Sequence, residues 1–223
     1  ELYETAFMPW EWQKPLFEYA QKIGITIFSS PFDTTAVDLL EDLNTPAYKI
    51  ASFEAVDLPL IKYVAQTGKP IIISTGMADA EEIQEAIEAA REGGCKELAI
   101  LHCVSSYPAP SGDYNLRTLV DMQQKFGLVT GLSDHTIDNT TAIASVALGA
   151  SIIEKHVTLD QNGGGPDDSF SLEEEGLKEL CMGAKTAWQS LGKVDYGMKS
   201  SEQESVKFRR SLYFIKDIKE GEF

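Results

Sequence analysis

The segment that decides the fold is VTGLSDHTIDNTTAIASVALGASIIEKH, residues 129–156. It contains two apolar runs with the length and β-branched content of buried strands, and each run ends in a histidine, His135 and His156. Between them, residues 139–149 have the apolar spacing of a helix. A strand, a helix and a second strand bring the carboxyl ends of both strands to the same edge of a parallel sheet. We therefore expect the two imidazoles to lie close together at that edge.

The same alternation repeats along the chain. Six predicted strands begin near residues 25, 47, 70, 98, 129 and 152, at intervals of 22–31 residues. This spacing is typical of strands and helices that alternate in one parallel sheet. A closed (β/α)8 barrel has eight such units, and here a helix from Pro9 to Gly24 precedes the first strand. We expect an α/β fold, a TIM barrel lacking about its first two strands. An open doubly wound sheet is the alternative, although no glycine-rich phosphate loop follows a first strand.

Three parts of the chain are predicted. Residues 1–192 form the partial barrel domain, residues 193–207 form a polar linker, and residues 208–223 begin a further small domain, with one or two strands within Phe208–Ile215. Both ends are expected to be cut from a longer protein. In the first helix, the predicted buried stripe consists of Trp12, Leu16, Tyr19 and Ala20.

Composition excludes some classes of partner. The 223 residues include 19 basic and 35 acidic side chains, which give a net charge of -16. Nucleic acids and anionic membranes need a basic face, so neither is expected to be the partner. No stretch approaches the roughly 18 apolar residues of a membrane span, and no signal-peptide core is present, so we expect a cytoplasmic protein. The 3 cysteines are widely spaced without a C-x-x-C pattern, which indicates reduced thiols.

Polar side chains recur where the predicted strands end. A ring of hydroxyls around one lysine suits a small phosphorylated or carboxylated ligand, because it offers many donors and one compensating charge. The lysine is Lys49, which lies within an apolar run and needs an anionic partner there. A structural salt bridge to Glu54 or Asp57 is the alternative. The serines expected in the ring include Ser30, Ser52, Ser74 and Ser133.

The two histidines are candidate metal ligands. Zinc usually takes three or four protein ligands, so a pair of imidazoles fits a more open, oxygen-rich coordination by manganese or magnesium better, completed by water, Asp167 and substrate. The alternative from spacing alone is two hydrogen-bonding histidines.

Six motifs, in this order along the chain, resemble the sialic acid synthase family. Three further stretches are most similar to its pseudaminic acid synthase branch and less so to the N-acetylneuraminate and legionaminate branches: residues 9–13, 163–173 and 208–212. The six motifs are SSPF (29–32), YKIASFE (48–54), STGM (74–77), SYP (106–108), GLSDHT (131–136) and EKH (154–156).

This resemblance implies a TIM barrel followed by a small antifreeze-like (SAF) domain, in a domain-swapped homodimer. It implies condensation of phosphoenolpyruvate with an open-chain N-acetylated amino sugar, a 2,4-diacetamido-2,4,6-trideoxy hexose, to a nine-carbon 2-keto acid with release of phosphate. Another phosphoenolpyruvate-condensing barrel, acting on a sugar phosphate, is less compatible because the strand ends offer few basic residues for a second phosphate. A non-catalytic, truncated paralogue is the alternative from a different class.

Site roles follow from the resemblance position by position. His135 and His156 match ligands of a divalent ion, manganese first, with magnesium or cobalt as alternatives. Glu54 matches an acid near the reacting carbons. Because a further acid and lysine of the family, together with an arginine of its SAF domain, have no counterpart here, we expect the 223 residues alone to be poorly active or inactive. The remaining matches are phosphoenolpyruvate-binding Ser30, Lys49, Ser52, Ser74 and Ser133, and sugar-side Tyr107 and Asp167.

Overall fold

The computed structural model describes residues 8–222. This part of the chain divides into two compact units, one ending at Leu191 and the other beginning at Gly192. No helix among residues 8–222 is both long and apolar enough to cross a membrane.

The first unit contains one parallel sheet of five strands, hydrogen-bonded in the order β1-β2-β3-β4-β5. The strands alternate with helices, as the spacing of apolar runs predicts, and together they form a parallel α/β half-barrel. The strands are β1 (Tyr48–Ile50), β2 (Ile71–Ser74), β3 (Leu98–Cys103), β4 (Val129–Asp134) and β5 (Ile152–Lys155). The helices are α1 (Trp10–Ile23), α2 (Thr34–Asp42), α3 (Leu58–Ala65), α4 (Ala80–Glu92), α5 (Thr118–Phe126), α6 (Thr140–Ala147) and α7 (Glu174–Leu191).

Strands β1 to β4 are largely buried, whereas the residues of β5 are half-buried. Ile50, Ile73 and Ile100 are fully or almost fully buried in the main apolar cluster, together with residues of α3 and α4. Helix α4 begins directly after Asp79, because Asp79 and Glu82 form a capping box that satisfies main-chain N–H groups of the first turn. The β-branched runs therefore supply the core that holds the strand ends in register.

The predicted first strand is wrong as a full strand. Residues 25–28 form no strand, and this segment joins the sheet only through one bridge, between the following Ser29 and Tyr48. The preceding helix ends in a left-handed cap at Gly24, and the N–H of Ile25 donates to the Ala20 carbonyl. The N–H of Ile25 is thus used by the end of the helix and is not available to pair with a neighbouring strand.

The predicted buried stripe of α1 is also largely wrong. Trp12, Leu16 and Tyr19 are exposed, whereas Gln13 and Ala20 are buried. Apolar periodicity shows that a helix has one apolar face, but it does not show whether another element packs on that face.

The second unit has no strand among its described residues. Ser200–Phe208 forms a 3-10 helix inside the stretch predicted as a linker, and the chain that follows it is irregular up to residue 222. The strands predicted within Phe208–Ile215 are therefore wrong: the apolar side chains from Leu212 to Ile215 are exposed, and no described segment pairs with them. The domain boundaries and the SAF assignment stay predictions.

Candidate active site

Polar residues from all five strands gather at the carboxyl edge of the sheet. The register of the last two strands places Ser133 opposite Glu154 and Asp134 opposite Lys155. The rings of His135 and His156 follow directly, with centroids 5.2 Å apart. The expected convergence of the two imidazoles is confirmed, because parallel strands in register end at the same edge.

Lys49 is the buried cation of this edge. Its residue is 7% exposed, and Nζ donates to the Ile50 carbonyl at 3.0 Å. Burial lowers the pKa of Lys49, and the nearby carboxylate of Glu154 opposes that shift. The Glu154 Oε2 atom lies 3.6 Å from Nζ. The ion pair considered with Glu54 or Asp57 is therefore wrong, since the partner comes from β5, about a hundred residues further along the chain.

Sequence reasoning assigned no role to Glu154, although it lies in a quoted motif. Its Oε1 accepts a hydrogen bond from Ser133 Oγ at 2.7 Å, while Oε2 faces Lys49. The sequence signal that could have identified Glu154 is an acidic residue in a short apolar strand, where it pairs in register with Ser133. In a parallel sheet such a residue faces its cross-strand neighbours.

Two of the predicted serines, Ser52 and Ser74, are buried at the strand ends. Ser52 Oγ accepts a hydrogen bond from the Gly76 N–H at 3.1 Å. Ser74 Oγ is buried and has no partner within the described protein. A buried hydroxyl without a partner is costly, so Ser74 is available to a ligand. A side chain at Gly76 would collide with Ser52 and Ser105, so only glycine fits between these hydroxyls.

Ser30 lines the same cleft as Lys49. This open cleft has a volume of about 510 Å³, and its wall also includes Trp10 and Glu154. The cleft is therefore large enough for a small anion beside the buried ammonium group. Ser30, Lys49, Ser52, Ser74 and Ser133 all belong to one edge of the sheet, as predicted, but no single hydrogen-bond network joins them.

Glu54 ends the 3-10 turn Ser52–Glu54 that follows β1. Its Oε2 is buried and has no hydrogen-bond partner within the described protein. Burial raises the pKa of this carboxyl, although Lys49 opposes the shift. A carboxyl with a raised pKa near a buried cation is suited to accept a proton during a reaction.

His135 is held by its main chain and by one ring nitrogen. Its N–H donates to the Tyr114 hydroxyl at 2.7 Å, and Nδ1 lies 2.8 Å from the Val104 carbonyl. A carbonyl accepts only, so Nδ1 carries a proton, and in the neutral ring Nε2 keeps its lone pair. Burial alone would lower the pKa of His135, but the contacts with Cys103 and the Val104 carbonyl outweigh it and raise the pKa.

His156 faces the long loop that follows β5. Its Nδ1 lies 3.4 Å from Asp167 Oδ2, and burial lowers the pKa of this imidazole, which favours the neutral ring. Tyr107 stacks at a tilt on His135, with centroids 4.3 Å apart, and lies 6.0 Å from the His156 ring. Tyr107 and Asp167 thus both lie beside the histidines.

Two residues near the histidines were not predicted as part of the site. Phe170 is buried, and its ring lies 5.2 Å from that of His156. Cys103, expected only to be a reduced thiol, has its Sγ 4.0 Å from His135 Nδ1 and 3.9 Å from Ser105 Oγ. Burial would raise the pKa of the Cys103 thiol, but its hydrogen-bonding neighbours, His135 first, lower it below its ordinary value. Strand alternation alone did not reveal which face of β3 meets the site.

The two histidines fit a partial coordination sphere for a divalent ion. Within residues 8–222, no group of three or more His, Cys, Asp or Glu side chains has the geometry of a metal site. Two imidazoles with 5.2 Å between their centroids, one of them with a defined Nε2 lone pair, offer at most two nitrogen ligands. Such a pair suits an ion whose other ligands are water and substrate, and it does not suit structural zinc.

Comparison with known proteins agrees with this geometry. The chain is 45% identical over 223 residues to pseudaminic acid synthase of Helicobacter pylori, covering 100% of this chain and 66% of that protein. It is 42% identical over 212 residues to N,N'-diacetyllegionaminic acid synthase of Campylobacter jejuni, covering 94% of this chain and 64% of that protein. The chain thus spans slightly less than two thirds of the length of these curated relatives.

A crystal structure named as N-acetylneuraminic acid (sialic acid) synthetase from Leptospira borgpetersenii superposes with a TM-score of 0.85. The sequence identity is 33%, and the match covers 95% of this chain and 74% of that chain. The profile of the NeuB family matches residues 1–196. The order of the motifs, the half-barrel and these matches together show that the chain belongs to the NeuB family of sialic acid synthases.

Proposed function

We propose that the protein, in its complete form, condenses phosphoenolpyruvate with a 2,4-diacetamido-2,4,6-trideoxy hexose to give a nine-carbon 2-keto sugar acid and phosphate, as a pseudaminic acid synthase does. The names of the relatives support this substrate class. The observation that carries the proposal is a buried lysine, among serines, at the same sheet edge as two histidines. Lys49 is 7% exposed, and Ser74 presents a hydroxyl with no partner among the described residues.

In this proposal the anion site is formed by Lys49 and the strand-end hydroxyls. Lys49 Nζ supplies the charge for the carboxylate or phosphate of phosphoenolpyruvate, since its exposure is too low for it to be solvated by bulk water. Ser52 and Ser74 supply hydroxyl donors, Ser133 contributes when its O–H turns from Glu154 to the ligand, and Ser30 contributes from the wall of the cleft. These contacts hold the enol close to the aldehyde of the sugar, which is the entropic part of catalysis.

The sugar side of the site is formed by Tyr107 and Asp167. His135 and His156 are the residues that would hold a divalent ion, manganese first and magnesium or cobalt as alternatives. When bound there, such an ion supplies Lewis-acid polarisation of the sugar aldehyde. The ring of His135 is oriented for this role by the bond from Nδ1 to the Val104 carbonyl.

The proposed reaction forms a carbon–carbon bond at C3 and a carbon–oxygen bond from water to C2, and it breaks the C2–O bond to phosphate. One proton of the water ends on the former aldehyde oxygen, and the other leaves with phosphate. C3 of the enol attacks the aldehyde carbon, and water adds to C2 of the former phosphoenolpyruvate. Glu54 accepts the proton of that water, because its buried carboxyl has a raised pKa and an unpartnered oxygen. Loss of phosphate from C2 then leaves the 2-keto acid.

The test is a condensation assay on the protein expressed from its whole coding sequence. Phosphate release and product mass are measured with phosphoenolpyruvate, manganese and, side by side, the altro and manno isomers of the diacetamido sugar and N-acetylmannosamine. We expect turnover of the altro isomer above the other two. Preference for the manno isomer would indicate a legionaminate synthase. If none of the three sugars supports phosphate release, the proposed function is refuted. We also propose a cytoplasmic location from the sequence, and an SAF domain and a domain-swapped homodimer from the family resemblance.

A further inference from the structure

A buried ion pair lies next to the two histidines but faces away from the ligand side. Lys155 Nζ lies 2.7 Å from Asp134 Oδ2, and the two side chains are 3% and 0% exposed. The two residues are cross-strand partners in the register of β4 and β5. Every other ion pair between lysines and carboxylates of the described residues is more exposed than this one.

Lys155 binds the loop that follows His135 at several points. Besides the Asp134 carboxylate, its ammonium group donates to the carbonyls of Thr136 and Asp138, the latter at 2.9 Å. An ammonium group has three donors, so these three acceptors satisfy it completely. The Asp134 carboxylate in turn accepts hydrogen bonds from the N–H and the hydroxyl of Thr136, both at 3.0 Å.

Strand alternation explains why this pair is close to the histidines without touching the ligand. Successive side chains of a strand point to opposite faces. Ser133 and Glu154 bond each other on the side of Lys49, so their neighbours Asp134 and Lys155 project to the other face. His135 follows Asp134 and His156 follows Lys155, so one ion pair fixes the backbone from which both rings project.

We propose that Lys155 and Asp134 are positioning residues that set the separation and orientation of the His135 and His156 rings. Lys155 ties β5 to β4 and to residues 136–138, so the two rings remain 5.2 Å apart. The proposal rests on the proposed function, in which these histidines bind a divalent ion. Loss of a group that hydrogen-bonds a metal ligand typically weakens metal binding by about 10- to 100-fold. Lys155 and Asp134 act through the backbone that carries the rings, so we expect an effect at the lower end of this range.

The experiment measures Mn2+ affinity of the 223-residue chain by electron paramagnetic resonance of the free ion. Lys155→Met and Asp134→Asn are compared with Lys62→Met, the control, because Lys62 forms an exposed ion pair with Glu92 at 2.9 Å. Circular dichroism and thermal melting establish that each variant is folded. We expect Mn2+ binding to weaken by about 10-fold or more in the first two variants and to stay unchanged in the control.

A second measurement separates positioning from a general loss of structure. Nitrogen-15 NMR of labelled histidine reports which ring nitrogen of His135 is protonated, and we expect the Nδ1–H form to lose population in Lys155→Met. If Lys155→Met does not fold, Thr136→Val, which removes only one hydroxyl from the network, gives the same readouts. Unchanged Mn2+ affinity in the folded variants would overturn the positioning role alone. Absence of Mn2+ binding by the unsubstituted chain would instead refute the metal site of the proposed function.

Discussion

Glu154→Gln should strengthen the binding of anions at Lys49. Glu154 Oε2 lies 3.6 Å from Lys49 Nζ, so a carboxylate is next to the only buried ammonium group on the ligand side of the described strand ends. Glutamine keeps an oxygen that accepts from Ser133 and removes the charge. The ammonium group is then available to the phosphate or carboxylate of an incoming ligand.

The size of the effect follows from the distance and the exposure. At 3.6 Å, two unit charges interact by about 4–5 kcal/mol at an effective dielectric constant of ~20. The side chain of Glu154 is 40% exposed, and solvent screening reduces this interaction to roughly 1–2 kcal/mol. Since about 1.4 kcal/mol is tenfold in affinity, we expect phosphoenolpyruvate and inorganic phosphate to bind roughly 5- to 30-fold more tightly.

The assay is isothermal titration calorimetry with phosphoenolpyruvate and with phosphate, without metal, at two salt concentrations. Glu92→Gln is the matched control, because Glu92 pairs with Lys62 on the surface, with its side chain 67% exposed. We expect the gain to shrink at high salt and to be absent in the control. A Kd for Glu154→Gln equal to or weaker than that of the unsubstituted chain would show that Lys49 does not bind the anion.

Three further predictions concern other parts of the site. The double substitution of His135 and His156 by Ala should abolish specific Mn2+ binding in the electron paramagnetic resonance titration, and unchanged affinity would remove the metal site. Gly76→Ala should weaken phosphoenolpyruvate binding by about 10-fold or more, because its Cβ would displace two serine hydroxyls, whereas Gly112→Ala, whose Cβ meets open space, should bind normally in the same calorimetric assay. Glu54→Gln should raise Tm near pH 7. Because burial raises the folded-state pKa of Glu54, its stability contribution is present below the ordinary value of 4.5 and is lost as the pH rises through the folded pKa. The Tm difference should therefore vanish at acid pH, and a difference independent of pH would contradict this reasoning.

Much of the fold was predictable because apolar periodicity is a local signal. The five described strands begin close to the predicted positions, and Asp79 marks the start of a helix through its own side chain. The predictions failed where the outcome depended on a neighbour. Residues 25–28 and Phe208–Ile215 have strand-like composition, but a strand forms only where another segment supplies the hydrogen bonds.

The sequence by itself determined which residue types stand at the strand ends, and therefore that Lys49, His135 and His156 meet at one edge of the sheet. Parallel strands in sequence order allow no other outcome. Only the tertiary structure decided the partners. Glu154, rather than Glu54, pairs with Lys49, because the register of β5 against β4 sets which side chains face each other across the site. Register is a property of two strands together, and a one-residue shift would turn every side chain to the other face.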